Sequence, residues 1–494
     1  MSETQATGQS QPLSQTTETP GLLDQIIKQG RFGTDDASRE RARDLVGRFV
    51  DEVLDGRMAP SRNTLAMINE RIKRIDELLS VQVNAIMHHE KFQKLESTWR
   101  GLKYLVGETE TGPMLKIKIF NATKSELLDE FGRNAFDQSA VFKKIYEHEY
   151  GTFGGVPFSA ILGDYEFTRS SQDIKLLQHM STVAAAAHAP FLTGANPDLL
   201  DIGDFTEINE PTSLAEKFES STFANWNAFR ETEDSRYVAM ALPRMLLREP
   251  YGKDTIPVNA FSYEEGIDGK THGEYLWGNA AWALGSKITQ AFAKYGWCAT
   301  IRGVESGGLV EHLPVHNFKT DSGNTMMKCP TEVQIPDRRE KELADLGFVP
   351  LVHQKGMPNA AFFSVQSAQK AQKYSSDSAT ANAALSAQIP YIFAVSRFAH
   401  YLKVIVRDKI GGFMSKSEAQ MFLTNWIANY RLDMDDAPFE AKAKRPLRDA
   451  RIDVQEIPGK PGAYRAIAYL RPHFQLDEMA VSMRLVAELP KPAA

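Results

Sequence analysis

The spacing of apolar residues changes at Gly112-Pro113, and that change limits the possible folds more tightly than any other feature. Before it, apolar positions recur three and four apart. Leu45, Val46, Phe49, Val50, Val53 and Leu54 share a face that Gly56 closes. Pro60 and Ser61 open a run holding Leu65, Ile68, Ile72, Ile75 and Leu79, and Phe92, Leu95, Trp99, Leu102 and Leu105 make a third row. That period predicts helices with charged outer faces across a segment of 41–110. After the change come short apolar runs bounded by turn residues. They predict strands over 114–120, 158–162, 191–193, 237–242, 297–301 and 348–352, with helical patterns over 125–131, 136–147, 173–187 and 275–295 between them. Buried strands alternating with helices define a mixed α/β fold with helices on the faces of a sheet. The Gly- and Pro-punctuated stretch 302–336 is a long loop or a small subdomain.

Residues 366–380 are small and polar, a connection between units. Beyond them a helix over 385–410, with Pro390 as a place for a kink, turns at Gly411-Gly412. Ser417 suits the cap of a helix over 418–430, and strands over 451–457, 464–470 and 481–489 follow. The expected organisation is a tail (1–40), a helical segment (41–110), a central α/β domain (111–370) and a C-terminal helix-plus-hairpin domain (371–494).

Three local features point outward from the fold. In the polar tail, Leu22, Leu23, Ile26 and Ile27 form one narrow helical face, with Thr19 as cap, Pro20 at the first position, Lys28 in the last turn and Gly30 as the stop. A helix of about ten residues is marginal alone in water. The cluster therefore reads either as a docking peptide or as a helix capping the chain's own body. Lys442, Lys444, Arg445, Arg448 and Arg451 form a local basic cluster, suited to an acidic partner surface or a phosphate-rich ligand, or else an ordinary solvated stretch. Val481, Met483, Leu485 and Ala487 alternate with Ser482, Arg484, Val486 and Glu488, the pattern of a last strand. Such a strand pairs within the chain or adds to another subunit.

The chain shows no recognisable motif for catalysis, cofactor or metal. A net charge of −6 offers no general field for nucleic acid. Only Cys298 and Cys329 occur, without metal-ligand spacing, as in a reducing compartment. No secretory signal opens the chain. The longest apolar run, 389–406, is broken by Arg397, His400 and Lys403, so no run is expected to span a bilayer. The expected location is the cytoplasm, or an unusual route out of it. No phosphate loop, dinucleotide fingerprint or serine-hydrolase elbow occurs, and the glycines at 151–155 and 306–308 read as turn residues. The zinc-protease motif fails, with Gln93 and Thr152 where the second His belongs. His88 and His89 read as solvated or helix-packing residues. His312 and His316, separated by Pro314, cannot share a helix face as metal ligands. The pairs Asp435-Asp436 and Glu264-Glu265 read as solvated acids. No catalytic residue, cofactor or metal is expected.

The blocks 48–54 (RFVDEVL), 72–80 (IKRIDELLS), 89–102 (HEKFQKLESTWRGL), 157–165 (PFSAILGDY), 189–191 (APF), 236–248 (RYVAMALPRMLLR) and 278–283 (GNAAWA) follow in order, with the hairpin ending. Over about 41–489 the chain resembles the TssC/VipB family, large subunits of the contractile sheath of type VI secretion. The resemblance implies a C-terminal domain of contractile-tail-sheath type and pairing with a small partner, TssB/VipA. It implies polymerisation with other copies around a tube of Hcp protein, contact with a baseplate, and contraction that propels the tube. It also implies recycling by the AAA+ ATPase ClpV, which would recognise Leu22, Leu23, Ile26 and Ile27. Strands exchanged between subunits would come from Tyr464, Ala466, Ala468, Val481, Met483 and Leu485. The alternatives are an uncharacterised α/β enzyme and a phage-tail-like sheath protein of another contractile machine.

Overall fold

A computed structural model describes residues 29, 35–54, 64–412, 415–434, 436–459, 463–473 and 475. Leu22, Leu23, Ile26 and Ile27, and Val481, Met483 and Leu485, lie outside the described residues. The chain divides into two units, Met1–Val81 and Gln82–Ala494.

The first unit holds α1 (Asp36–Leu54) and most of α2 (Thr64–Met87). On α2 the expected apolar face is present and uncovered. Ile68, Ile72, Ile75 and Leu79 are 39%, 51%, 43% and 40% exposed. Their four-three-four spacing aligns them in one stripe.

The second unit opens with α3 (Glu90–Gly107), capped by His89, whose ring accepts from the Lys91 N–H at 3.2 Å. Gly101 allows α3 to lie against Trp282, because a Cβ there would sit 2.2 Å from the indole. α4 (Lys124–Arg133) starts at a reciprocal Thr123–Glu126 cap. The helix expected over 136–147 is π-helical over Lys143–Tyr150.

A six-stranded sheet follows. Its strands are β1 (Ile161–Phe167), β2 (Phe191–Ala195), β3 (Val238–Leu242), β4 (Leu309–Val310), β5 (Phe348–His353) and β6 (Ala360–Phe362), in the spatial order β1-β2-β3-β5-β6-β4. The first four in that order run parallel, and β6 is antiparallel to β5 and β4. Period two splits each strand between two cores. Phe191, Val238, Met240, Leu242 and Phe348 enter one, with Ile174, Leu177 and Met180 of α5 (Ser171–Ala187). Leu192, Ala239, Ala241, Val349 and Leu351 enter the other, with Leu284 and Ile288 of α6 (Ala281–Tyr295). Parallel strands need crossovers that cover both faces, which is why the central strands β2, β3 and β5 are almost wholly apolar.

After α7 (Asp337–Asp345), the C-terminal part comprises α8 (Asp377–Ser386), α9 (Ile389–Asp408), α10 (Lys416–Ala428), α11 (Phe439–Lys444), β7 (Leu447–Glu456) and β8 (Tyr464–Pro472). A third core joins Trp297, Phe398, Leu423, Ile427, Leu447, Ile452 and Val454.

Several expectations are corrected. The helix over 385–410 is two helices, and Pro390 sits in the first turn of α9, where its missing N–H costs nothing. The cap of α10 is Ser415, in a reciprocal pair with Glu418, rather than Ser417. Residues 275–280 are not helical: Trp277 pairs with Leu246, and α6 begins at Ala281. Residues 297–301 form no strand. After Gly296 turns with φ 77, Trp297 stacks on Phe398 at 4.5 Å, and side chains rather than a ladder anchor the segment. Residues 114–120 form no strand either. Among the described residues α9 is long and apolar enough to cross a membrane, contrary to the sequence reading, and half of that apolar window is buried inside the fold.

Candidate assembly interface

β7 and β8 pair antiparallel from Leu447↔Pro472 to Glu456↔Tyr464, through Ile452↔Ala468 and Val454↔Ala466. Tyr464, Ala466 and Ala468 thus meet partners in their own chain. A lone hairpin is marginal in water. Here Leu423 and Ile427 of α10 cover its apolar face at Leu447, Ile452 and Val454. Among the described residues no strand pairs with the outer edge of β8.

The basic cluster is interleaved with acid. The Arg451 guanidinium lies 2.7 Å from Asp453 and over the Tyr469 ring at 4.9 Å. Asp449, between Arg448 and Arg451, faces Arg431 at 3.5 Å. Lys444 and Arg445 are exposed, and Lys442 and Arg448 are half-buried. The five cations do not make one uninterrupted face.

The extended segment 115–121 and β1 form two walls of a trench of about 1330 Å³. Trp99 and Leu102 of α3 and Trp282 of α6 line it. Asp164 of β1 accepts from Thr98 Oγ1 at 2.6 Å and from Trp282 Nε1 at 3.0 Å. Burial pushes its carboxyl above the ordinary range. Lys118 pairs with Glu149 and Lys124 with Asp173, tying the outer wall to the body.

Buried ion networks brace the region between α3 and the sheet. Arg248 donates to Glu265 at 2.6 and 3.0 Å and to Glu96 at 2.8 Å, and His88 Nε2 is 3.1 Å from Glu265. Glu265, 2% exposed, is therefore not the solvated acid expected, although Glu264 is exposed. Burial raises the Glu265 pKa, but the Arg248 contacts, the Tyr251 N–H and His88 outweigh it and hold the carboxyl below its usual range. Arg244 donates to Glu166 at 2.7 Å and to Glu332 at 3.1 Å. Asp204, His272 and Glu332 place ligand atoms within 4.8 Å of one another, a spacing open to a metal ion. Arg244 already balances Glu332, so the group reads as part of the ion network. The partners are far apart in sequence, and no local pattern could have paired them.

Two family models match the chain. One describes the EvpB/VC_A0108 tail sheath N-terminal domain, over 69–369; the other describes the EvpB/VC_A0108 tail sheath gpW/gp25-like domain, over 378–489. Sheet and flanking helices fall in the first match, helices and hairpin in the second, and together they define the class as tail sheath proteins. The Type VI secretion system sheath protein TssC1 of Pseudomonas aeruginosa (strain PAO1) is 47% identical over 481 residues, covering 96% of both chains. The chain belongs to this TssC/VipB family and is a structural subunit of a contractile sheath. Solved structures of the anti-feeding prophage baseplate and of its contracted helical sheath are similar at 9% identity, with TM-scores of 0.35 and 0.32. They cover 64% and 62% of this chain, which spans 66% of each of theirs, just under two thirds of their length.

Proposed function

We propose that this sheath subunit works as the large half of a heterodimer with a small partner of the TssB/VipA kind, and that the heterodimers polymerise helically in the cytoplasm around an Hcp tube from a baseplate. Its work is mechanical and not catalytic. Contraction follows from contacts between subunits that favour the short state, with no nucleotide bound to this chain. Terminal strands, including Val481, Met483 and Leu485, knit neighbouring subunits together. Non-closing contacts of this kind give filaments rather than rings. Lys444 and Arg445 face an acidic neighbour in the lattice. The tail docks ClpV after contraction.

The observation that carries the heterodimer is the uncovered stripe of α2. Four aligned aliphatic side chains about half exposed are a seam without its other half. Covering them yields about 3–6 kcal/mol. Association costs roughly 4–15 kcal/mol, so the stripe selects the partner but does not hold it alone. Co-expression with the small subunit should give tubules in negative-stain images. Ile72→Asp with Ile75→Asp should abolish the complex while the circular dichroism of the chain stays unchanged. A discrete particle that ignores the small subunit and turns over a metabolite would end this reading.

A further inference from the structure

Asp204, His272 and Glu332 reach one point from three irregular connections, between β2 and β3, between β3 and α6, and between β4 and α7. The point lies outside the carboxyl ends of the parallel strands, where α/β sheets place their ligands. Glu166 stands near the end of β1, and Arg244 follows β3. Arg244 is divided between two acids. It donates to Glu166 at 2.5 and 2.7 Å and to Glu332 Oε1 at 3.1 Å. Lys328 also faces the group, but its ammonium donates to the Gly269 carbonyl at 3.4 Å and lies over the Tyr275 ring at 5.1 Å. Among the described residues, the carboxylates of Glu166, Asp204 and Glu332 thus outnumber the cations that face them, even with Arg244 and Lys328 both fully charged. The shortfall shows at one atom. The Glu332 side chain is 1% exposed, and its Oε2 has no hydrogen-bond partner. A buried carboxylate oxygen without a partner is costly.

We propose that Asp204, His272 and Glu332 hold a divalent cation of the Zn²⁺ class, which completes this ion network. Mixed imidazole and carboxylate donors suit Zn²⁺ better than Mg²⁺ or Ca²⁺, which take oxygen ligands. Atoms bound about 2.1 Å from one ion lie roughly 3–4 Å apart. His272 Nε2 is 3.1 Å from Glu332 Oε1 and 3.8 Å from Asp204 Oδ1, and all three ligand atoms lie within 4.8 Å of one another. Two of the ligands are oriented from behind, as metal ligands need to be. The Thr206 N–H donates to Asp204 Oδ1 at 2.8 Å. Trp277 stacks on the His272 ring at 5.0 Å, and its Nε1 donates to the His272 carbonyl at 2.9 Å. The three residues line the trench, so an ion and a water to complete its shell can enter from solvent. Once bound, the ion joins three connections at the strand ends through a single set of bonds.

Calorimetry tests this on the full-length chain, stripped with a chelator that is then removed, and titrated with Zn²⁺ alone. One ion should bind per chain and raise the melting temperature. His272→Gln removes the imidazole and Asp204→Asn removes a charge, both at partly exposed positions, so their circular dichroism should match the parent. Each should weaken binding at least ~10-fold and lose the thermal shift. Co²⁺ in place of Zn²⁺ should quench part of the tryptophan fluorescence through Trp277. Trp277→Phe should lose that part of the quench and still bind one ion. Affinity unchanged in His272→Gln and Asp204→Asn would put zinc on other histidines or on Cys298 and Cys329, and would overturn the proposal. A stripped chain that binds no Zn²⁺ would overturn it as well. The sheath reading above does not depend on either result.

Discussion

Arg248 holds two buried carboxylates that lie 152 and 17 residues away along the chain. Removing one member of such a group is expensive because the others stay buried and unpaired. Arg248→Ala leaves buried Glu265 with only His88 and the Tyr251 N–H while Glu96 keeps Arg100, and should cost about 3 kcal/mol in a denaturant titration. Arg248→Met combined with Glu265→Leu should recover most of that loss, since apolar replacements leave less charge to desolvate. Glu265 was misread in the sequence for a definite reason. Two adjacent acids in a polar loop look alike, and only the alternation of loop residues between inside and outside separates Glu265 from exposed Glu264.

α9 is fastened at one point by His400, whose Nε2–H donates to the Ala187 carbonyl at the end of α5, at 2.8 Å. Burial pushes the His400 pKa from 6.5 down to about 4, with Arg397, His188 and Lys403 adding to the fall and the Ala187 bond opposing it. The unfolded chain protonates this ring as pH drops through its ordinary value; the folded chain does not until about 4. Acid therefore favours unfolding. The contribution is complete above the unfolded pKa and fades as pH falls towards the folded one, by up to about 3 kcal/mol. Urea midpoints measured between neutral and mildly acid pH should fall less steeply for His400→Gln than for the parent chain.

Element legibility followed the same physics. The central strands over 191–193, 237–242 and 348–352 are readable because both their faces are buried and nearly every residue is apolar. The two-residue β4 and three-residue β6 are too short to show a period, and they were missed. The segment 114–120 misled in an instructive way. Its pattern is that of a strand, but a strand exists only where a neighbour supplies the ladder. Pro390 starts α9 rather than kinking a longer helix, and a proline marks a kink or a helix start equally well until the preceding turn is known. The hairpin is legible from the two strand patterns over 451–457 and 464–470, although its register, with an irregularity between Leu447 and Asp449, is not. Of the candidate assembly residues, those in β8 are paired within the chain.

At the scale of the whole molecule, the resemblance carried the function that residue patterns could not. No motif encodes contraction, since the work is done by contacts between copies. The tail adds a separate, testable piece. Burying Leu22, Leu23, Ile26 and Ile27 yields roughly 6–10 kcal/mol gross. The conformational entropy lost on docking would offset several of these. On the docking proposed above, one tail would bind at about micromolar strength, and many tails on one sheath would raise engagement by avidity. Leu23→Asp with Ile27→Asp should abolish ClpV pull-down and leave tubules intact; an unchanged pull-down would remove the tail from recognition.

The bare stripe of α2 also imposes a rule of supply. Chains made in excess of whatever covers Ile68, Ile72, Ile75 and Leu79 would clump through that seam. With the small subunit proposed above as that cover, the two chains would be needed in nearly equal dose, and the scarcer would set how long a sheath can grow.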